Sequence, residues 1–136
     1  MKLQDFISKT IPDITVSIKL PNGEDSGETL TIVNPSSGFA VSAMRAYQAA
    51  NSAFQREHAE LKAKCEEKHD FSEYNALAVP FFEELDRDFA TEITCGWSMD
   101  DEFTIGAVSD LFESIPSVVG SVISAYWEAV AALEKK

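Results

Sequence analysis

The chain has 136 residues, of which 45% are apolar and 25% charged, and 23 acidic against 11 basic residues give a formal net charge of −12. This length predicts one domain, residues 1–136, able to bury roughly two thirds of its unfolded surface, and the composition is that of a globular rather than a disordered chain. The negative field repels phosphate backbones and anionic lipid headgroups, which argues against nucleic acid and membrane surfaces as partners.

Residues 1–13 read as a polar leader. Met-Lys-Leu-Gln-Asp-Phe has no apolar core of signal-peptide length, so the expected location is the cytoplasm in which the chain is made. Ile14, Val16, Ile18 and Leu20 then alternate with polar residues, the period-two pattern of a half-buried strand. Pro21-Asn22-Gly23 supplies turn chemistry, and Leu30 and Ile32 alternate again within Thr29 to Val33. The two runs predict a β-hairpin over residues 14–33 with the loop Pro21 to Gly27. A lone hairpin is marginal in water, so it must lie on helices or on another copy of the chain.

Asn34-Pro35-Ser36-Ser37 is a helix-start signal, and residues 34–136 are read as the helical part. From Phe39 to about His69 the chain lacks proline and glycine and is rich in alanine, which predicts one long helix. Tyr47, Phe54 and Leu61 recur every seven residues on its core stripe. The charges that crowd in after Arg56 predict that the polar half, Glu57 to His69, protrudes into solvent or meets a partner. Asp70 to Asn75 is read as a break. Leu77, Phe81, Leu85, Phe89 and Ile93 form a four-residue ladder, and Pro80 suggests that the regular helix starts near that proline, with Asp86 and Asp88 on the wet side.

Thr104 is a good cap for the next helix, with Phe103 and Val108 at the spacing of a hydrophobic staple; that helix is expected to end near Ser114. Pro116 opens the last helix, whose face Val119, Val122, Ile123, Tyr126, Val130 and Leu133 is expected to meet the core, with Trp127 at its border. The apolar run Ile115 to Leu133 is broken by Pro116, Gly120, serines and Glu128, and does not read as a membrane span. The expected fold is mainly α with an N-terminal β-hairpin (α+β), with about four helices packed as a small bundle, the first one long.

The chemistry-bearing residues weigh against an enzyme. His58, Cys65 and His69 share one helix side, but about 10 Å of helical rise separates His58 from Cys65, too far to share one ion. The carboxylates Glu83, Glu84, Asp86 and Asp88, and the trio Asp100, Asp101 and Glu102, match no calcium-ligand rhythm. No Gly-x-Ser-x-Gly elbow, phosphate-cradling glycine loop or dinucleotide fingerprint occurs, so no catalytic residue, cofactor or metal is expected. Cys65 and Cys95 show no paired spacing and are read as two reduced thiols. Trp97, between Gly96 and Ser98, reads as a core plug at a tight turn before it reads as a contact. Tyr126 and Trp127 are adjacent and cannot both point inward: they share an amphipathic border or, with Val130 and Leu133, form a protein-interaction surface.

Taken in order, the hairpin around Pro21-Asn22-Gly23, the Asn34-Pro35-Ser36-Ser37 entry to a long helix, the Gly96-Trp97-Ser98 corner, the acidic turn Asp100 to Glu102, and Val108, Leu111, Phe112, Ile115 and Pro116 at helical spacing resemble the tail assembly chaperones of long-tailed (siphovirus-type) bacteriophages. Glu57 to Glu84 carries no residue assignable to that family. The resemblance implies a mainly helical, non-enzymatic protein of the host bacterial cytoplasm that binds the tape measure protein, keeps it soluble and promotes assembly of tail-tube protein around it. It also implies self-association and absence from the mature virion. In that family a longer frameshifted product is often made, and Glu134-Lys135-Lys136 is compatible with a slippery run of adenines. Two other classes stay open at this point: a small acidic inhibitor that mimics nucleic acid, and a structural tail or head-completion subunit.

Overall fold

A computed structural model describes residues 13–134, so the leader up to residue 12, and Lys135 and Lys136, lie outside the described residues. Strands β1 (Ile14–Lys19) and β2 (Asp25–Ile32) form the expected antiparallel hairpin, with Val16 opposite Leu30. Val16, Ile18, Leu30 and Ile32 are its buried face. The loop is shorter than expected, because β2 begins at Asp25 rather than near Thr29. Gly23, at φ 90°, closes the turn by donating to the Leu20 carbonyl at 2.8 Å, and Asn22 Oδ1 accepts from the Glu24 amide at 3.0 Å. A bulge then absorbs Ser26 to Glu28: Gly27 adopts φ 82°, and the Ser26 hydroxyl donates to the Ile18 carbonyl. A bulge breaks the period of two, so alternation could not reveal this end of the strand.

A third strand, β3 (Thr94–Trp97), was not expected. It pairs antiparallel with β2 and places that strand at the sheet centre in the order β1-β2-β3. Thr-Cys-Gly-Trp is too short to carry an alternation signal, and its partner lies more than sixty residues away. Ser98 extends the junction, its hydroxyl accepting from the Thr29 amide at 2.8 Å and its amide donating to the Thr29 carbonyl at 3.0 Å.

The described residues contain five helices rather than about four: α1 (Gly38–Glu57), α2 (Ala59–Lys68), α3 (Ser72–Ile93), α4 (Ile105–Ser114) and α5 (Pro116–Glu134). Ser37 caps α1, its Oγ accepting from the Ala40 amide at 3.1 Å, while Asn34 Oδ1 accepts from the Ser36 amide at 3.0 Å. Thr104 caps α4 in the same way through the Ala107 amide at 3.1 Å. Such caps satisfy amide groups that a helix start leaves without intrahelical partners.

The expected single long helix is divided at His58, where φ −111° and ψ 17° depart from helical geometry. Hydrogen bonds still run from the His58 amide to Phe54 and from the Lys62 amide to His58, so the segment bends rather than stops. The bend brings Leu61 and Cys65 onto α3. Contrary to expectation, one face of Glu57 to His69 is therefore packed, Cys65 being only 3% exposed. His69 ends α2 in the left-handed region at φ 54°, and the Asp70 amide reaches back to the Cys65 carbonyl at 3.1 Å.

Helix α3 also departs from the expectation, since it starts at Ser72 and carries Pro80 in its interior. Asp70 Oδ1 accepts from the Ser72 amide at 3.0 Å, and Tyr74 and Ala78 are buried. Tertiary packing of these first turns outweighs the hydrogen bond that Pro80 cannot make. Phe89 and Ile93 continue the expected ladder inward, whereas Leu77 is exposed because Tyr74 and Ala78 take its place.

Two apolar clusters result. The main one joins the sheet face to Ala40 and Ala43 of α1, Phe89, Ala90 and Ile93 of α3, Val108 and Phe112 of α4, and Val118, Val122 and Tyr126 of α5. The second lies around Phe54, with Cys65, Tyr74, Ala78, Leu61, Phe81 and Phe82. Tyr47 meets Phe89 at 5.4 Å and Phe54 meets Phe81 at 4.3 Å, so α1 and α3 run antiparallel and link the clusters.

Candidate partner-binding surface

Helix α5, despite its serines and Glu128, is long and apolar enough by length and composition alone to cross a membrane. Only 17% of Pro116–Leu133 is buried. The buried stripe is Val118, Val122 and Tyr126, which seals the main cluster. Tyr126 is 3% exposed and its ring meets Phe89 edge-on at 5.1 Å. Trp127 is 49% exposed and rests edge-on against Tyr126 at 5.4 Å. Val130 and Leu133 are half-buried. Of the four residues named from the sequence, Tyr126 thus supports the surface from beneath, and Trp127 presents the large apolar face.

The outward side of α5 forms one wall of a groove of about 550 Å³. Pro116, Val119, Gly120, Ile123 and Ser124 line that wall, Phe112 of α4 contributes to the lining between the helices, and Glu83, Asp86 and Arg87 of α3 form the opposite wall. Helical periodicity places Trp127 on the same side as Gly120 and Ser124, about 10 Å further along the axis from Gly120. On α3 the exposed Val79 lies one turn before Glu83 on the groove-facing side. Sequence reasoning missed this groove. The spacing of Glu83, Asp86 and Arg87 at i, i+3 and i+4 was visible, but it says only that they share a face, not what that face confronts.

Asp86 is held from the other side of α3. The Tyr47 hydroxyl, from α1, donates to Asp86 Oδ1 at 2.9 Å. Burial, then the hydrogen bond to Asp86 and its negative charge, push the Tyr47 phenol up to about 12 from its ordinary 10.0. Tyr47 therefore stays a donor throughout the neutral range. Because the folded value lies above the unfolded one, the protein's stability is expected to fall as pH rises between 10 and 12, where only the unfolded phenol ionises. Urea melts across that window should show the decline, and Tyr47→Phe should lessen it, leaving the part that belongs to Tyr126, whose phenol pKa burial also raises; an equal decline in the variant would sink this assignment.

The residues weighed for chemistry are placed apart. The His58 ring packs on Phe54 at 4.4 Å, Cys65 is buried in the second cluster, and His69 closes α2. Among the described residues no group of three or more His, Cys, Asp or Glu side chains is gathered as a metal's ligands would be. Cys95 is an exposed free thiol on β3, its pKa raised by partial burial and by the nearby Asp13 carboxylate. Trp97 is half-buried, packs edge-on with Phe103 at 5.3 Å, and donates its indole N–H to the Asp101 carbonyl at 2.9 Å. It thus ties the acidic turn to the sheet.

Residues 5–136 match the protein-family model described as phage tail assembly chaperone. No curated protein and no solved structure matches the chain.

Proposed function

The chain belongs to the phage tail assembly chaperone family, whose model covers all but its first four residues, and on this premise we propose that it binds the phage tape measure protein, keeps it soluble and promotes tail-tube assembly around it. The observation that carries this reading is the apolar groove between α3 and α5, continued by the exposed Val79 and Trp127 and bordered on its α3 wall by Glu83 and Asp86. A very long helix with apolar stripes aggregates unless those stripes are covered. An apolar groove covers such a stripe, while the surrounding charge keeps the complex in solution.

The role is non-enzymatic. It acts in the host bacterial cytoplasm, with several copies spaced along one tape measure molecule, self-associated, and with the tail-tube protein as a second partner. The chaperone leaves before the particle is complete. Co-expression with the tape measure protein tests this: the client is expected to move from the insoluble to the soluble fraction and to co-purify with the chaperone. A client that stays insoluble, with no complex recovered, would remove the reading. Mass spectrometry of purified virions separates it from a structural tail or head-completion subunit, whose peptides would persist in the particle.

A further inference from the structure

We propose that the α3/α5 groove seats one amphipathic helix of the partner protein, its apolar ridge against Pro116, Val119 and Ile123 and one of its lysines or arginines paired with Asp86. The proposal deepens the chaperone reading and rests on it only for the identity of the client.

The lining is apolar where a ridge of side chains would lie, and the α5 wall carries Gly120 and Ser124, small enough for a second helix to approach closely. A Cβ added at Gly120 would meet nothing within 4 Å, so the space beside it is open. Val79 and Trp127 are exposed on the groove-facing sides of their helices and extend the apolar track beyond the groove itself.

Charge specifies the occupant. From Phe71 to Leu133 the chain carries twelve Asp and Glu residues and a single basic residue, Arg87. The α3 wall brings two carboxylates, Glu83 and Asp86, against the one Arg87, and the surrounding chain is strongly acidic, which favours a basic partner over a second copy of this acidic chain. Glu83 and Arg87 are one helical turn apart and offset each other's field. Asp86 differs, because Tyr47 holds it: the phenol occupies Oδ1 and fixes the carboxylate, leaving Oδ2 as the acceptor for a partner's cation. A cation pairing with a preoriented carboxylate beside an apolar surface gains more than one pairing with a mobile surface charge.

The full-length protein is titrated, by fluorescence anisotropy, into a labelled 20-residue amphipathic helical peptide with a leucine and alanine ridge flanked by lysines, and into the same peptide with glutamates for lysines. The lysine peptide is expected to bind at least about tenfold more tightly. Gly120→Trp, which fills the groove from a position with open space around it, should weaken binding at least about tenfold without lowering the melting temperature. Asp86→Lys should reverse the peptide preference, and Tyr47→Phe should weaken the lysine peptide severalfold at unchanged fold. Ser124→Trp repeats the block should Gly120→Trp melt early.

Wild-type affinity in a folded groove-filling variant would overturn the proposal, as would an unchanged peptide order in Asp86→Lys, or no binding of either peptide. So would a wild-type dimer that Gly120→Trp splits into monomers, since a second copy would then own the groove. Co-expression separates the two readings. A client captured equally by wild type and Gly120→Trp leaves the chaperone reading standing and removes the groove. Groove-dependent peptide binding without client capture does the reverse.

Discussion

Phe112→Ala is expected to lower the free energy of unfolding by about 3–5 kcal/mol, the usual range for deleting a buried aromatic ring. Phe112 is 1% exposed within the main cluster, so the loss includes both the ring's transfer from water and the cavity left behind. Its backbone lies in α4, whose short length, ten residues, gives little stability of its own and ties the helix to the core through Val108 and Phe112. At roughly 2.1 cal/mol/K per residue, the thermal midpoint should fall by about 10–17 °C. Phe112→Leu keeps most of the volume and should lose less than about 2 kcal/mol. Thermal melts followed by circular dichroism decide it, and a fall below a few degrees in Phe112→Ala would show that the groove side of α4 is not part of the core.

Phe54→Ala is expected to cost about the same in the second cluster but to act locally. The ring stacks on Phe81 at 4.3 Å, meets Phe82 at 5.4 Å and Tyr74 at 6.1 Å, and carries His58 on another side. Cys65, Tyr74 and Ala78 complete a cluster too small to stand such a loss. Helix α2 and the first turns of α3 should therefore open while the sheet, α4 and α5 stay folded. Hydrogen exchange read by mass spectrometry should show lost protection in residues 54–82 and retained protection in residues 14–33 and 105–130. Protection lost evenly along the chain would mean that the two clusters unfold as one unit. The two variants together test the division of the core, since Phe112→Ala acts on the other cluster.

What was legible in the sequence was what neighbours in the chain decide among themselves. Alternation marked β1 and the second half of β2, the caps at Ser37 and Thr104 marked helix starts, and the apolar face from Val119 to Leu133 marked α5. Where an element depended on distant residues, local reading failed. His58 looked like a mid-helix residue, and Pro80 looked like a start signal. Both were overruled by Phe54, Cys65, Tyr74 and Ala78 closing on one another across a helical turnaround. The crowded charges after Arg56 concealed the packed face because Leu61 and Cys65 are only two positions in a polar run.

The sequence by itself determined the class of the fold, the family, and the presence of an apolar last helix with Trp127 at the border of its core face. The fold class and the last helix follow from periodicity and end chemistry, which act over a few residues, and the family from a resemblance carried by motifs in order along the chain. Only the tertiary structure decided that β3 completes the sheet, that a second cluster joins α2 to α1 and α3, and that Tyr47, Asp86 and Gly120 belong to one place. Their meeting joins α1, α3 and α5, and a groove exists only as the gap between such surfaces, a property of packing that no single helix encodes.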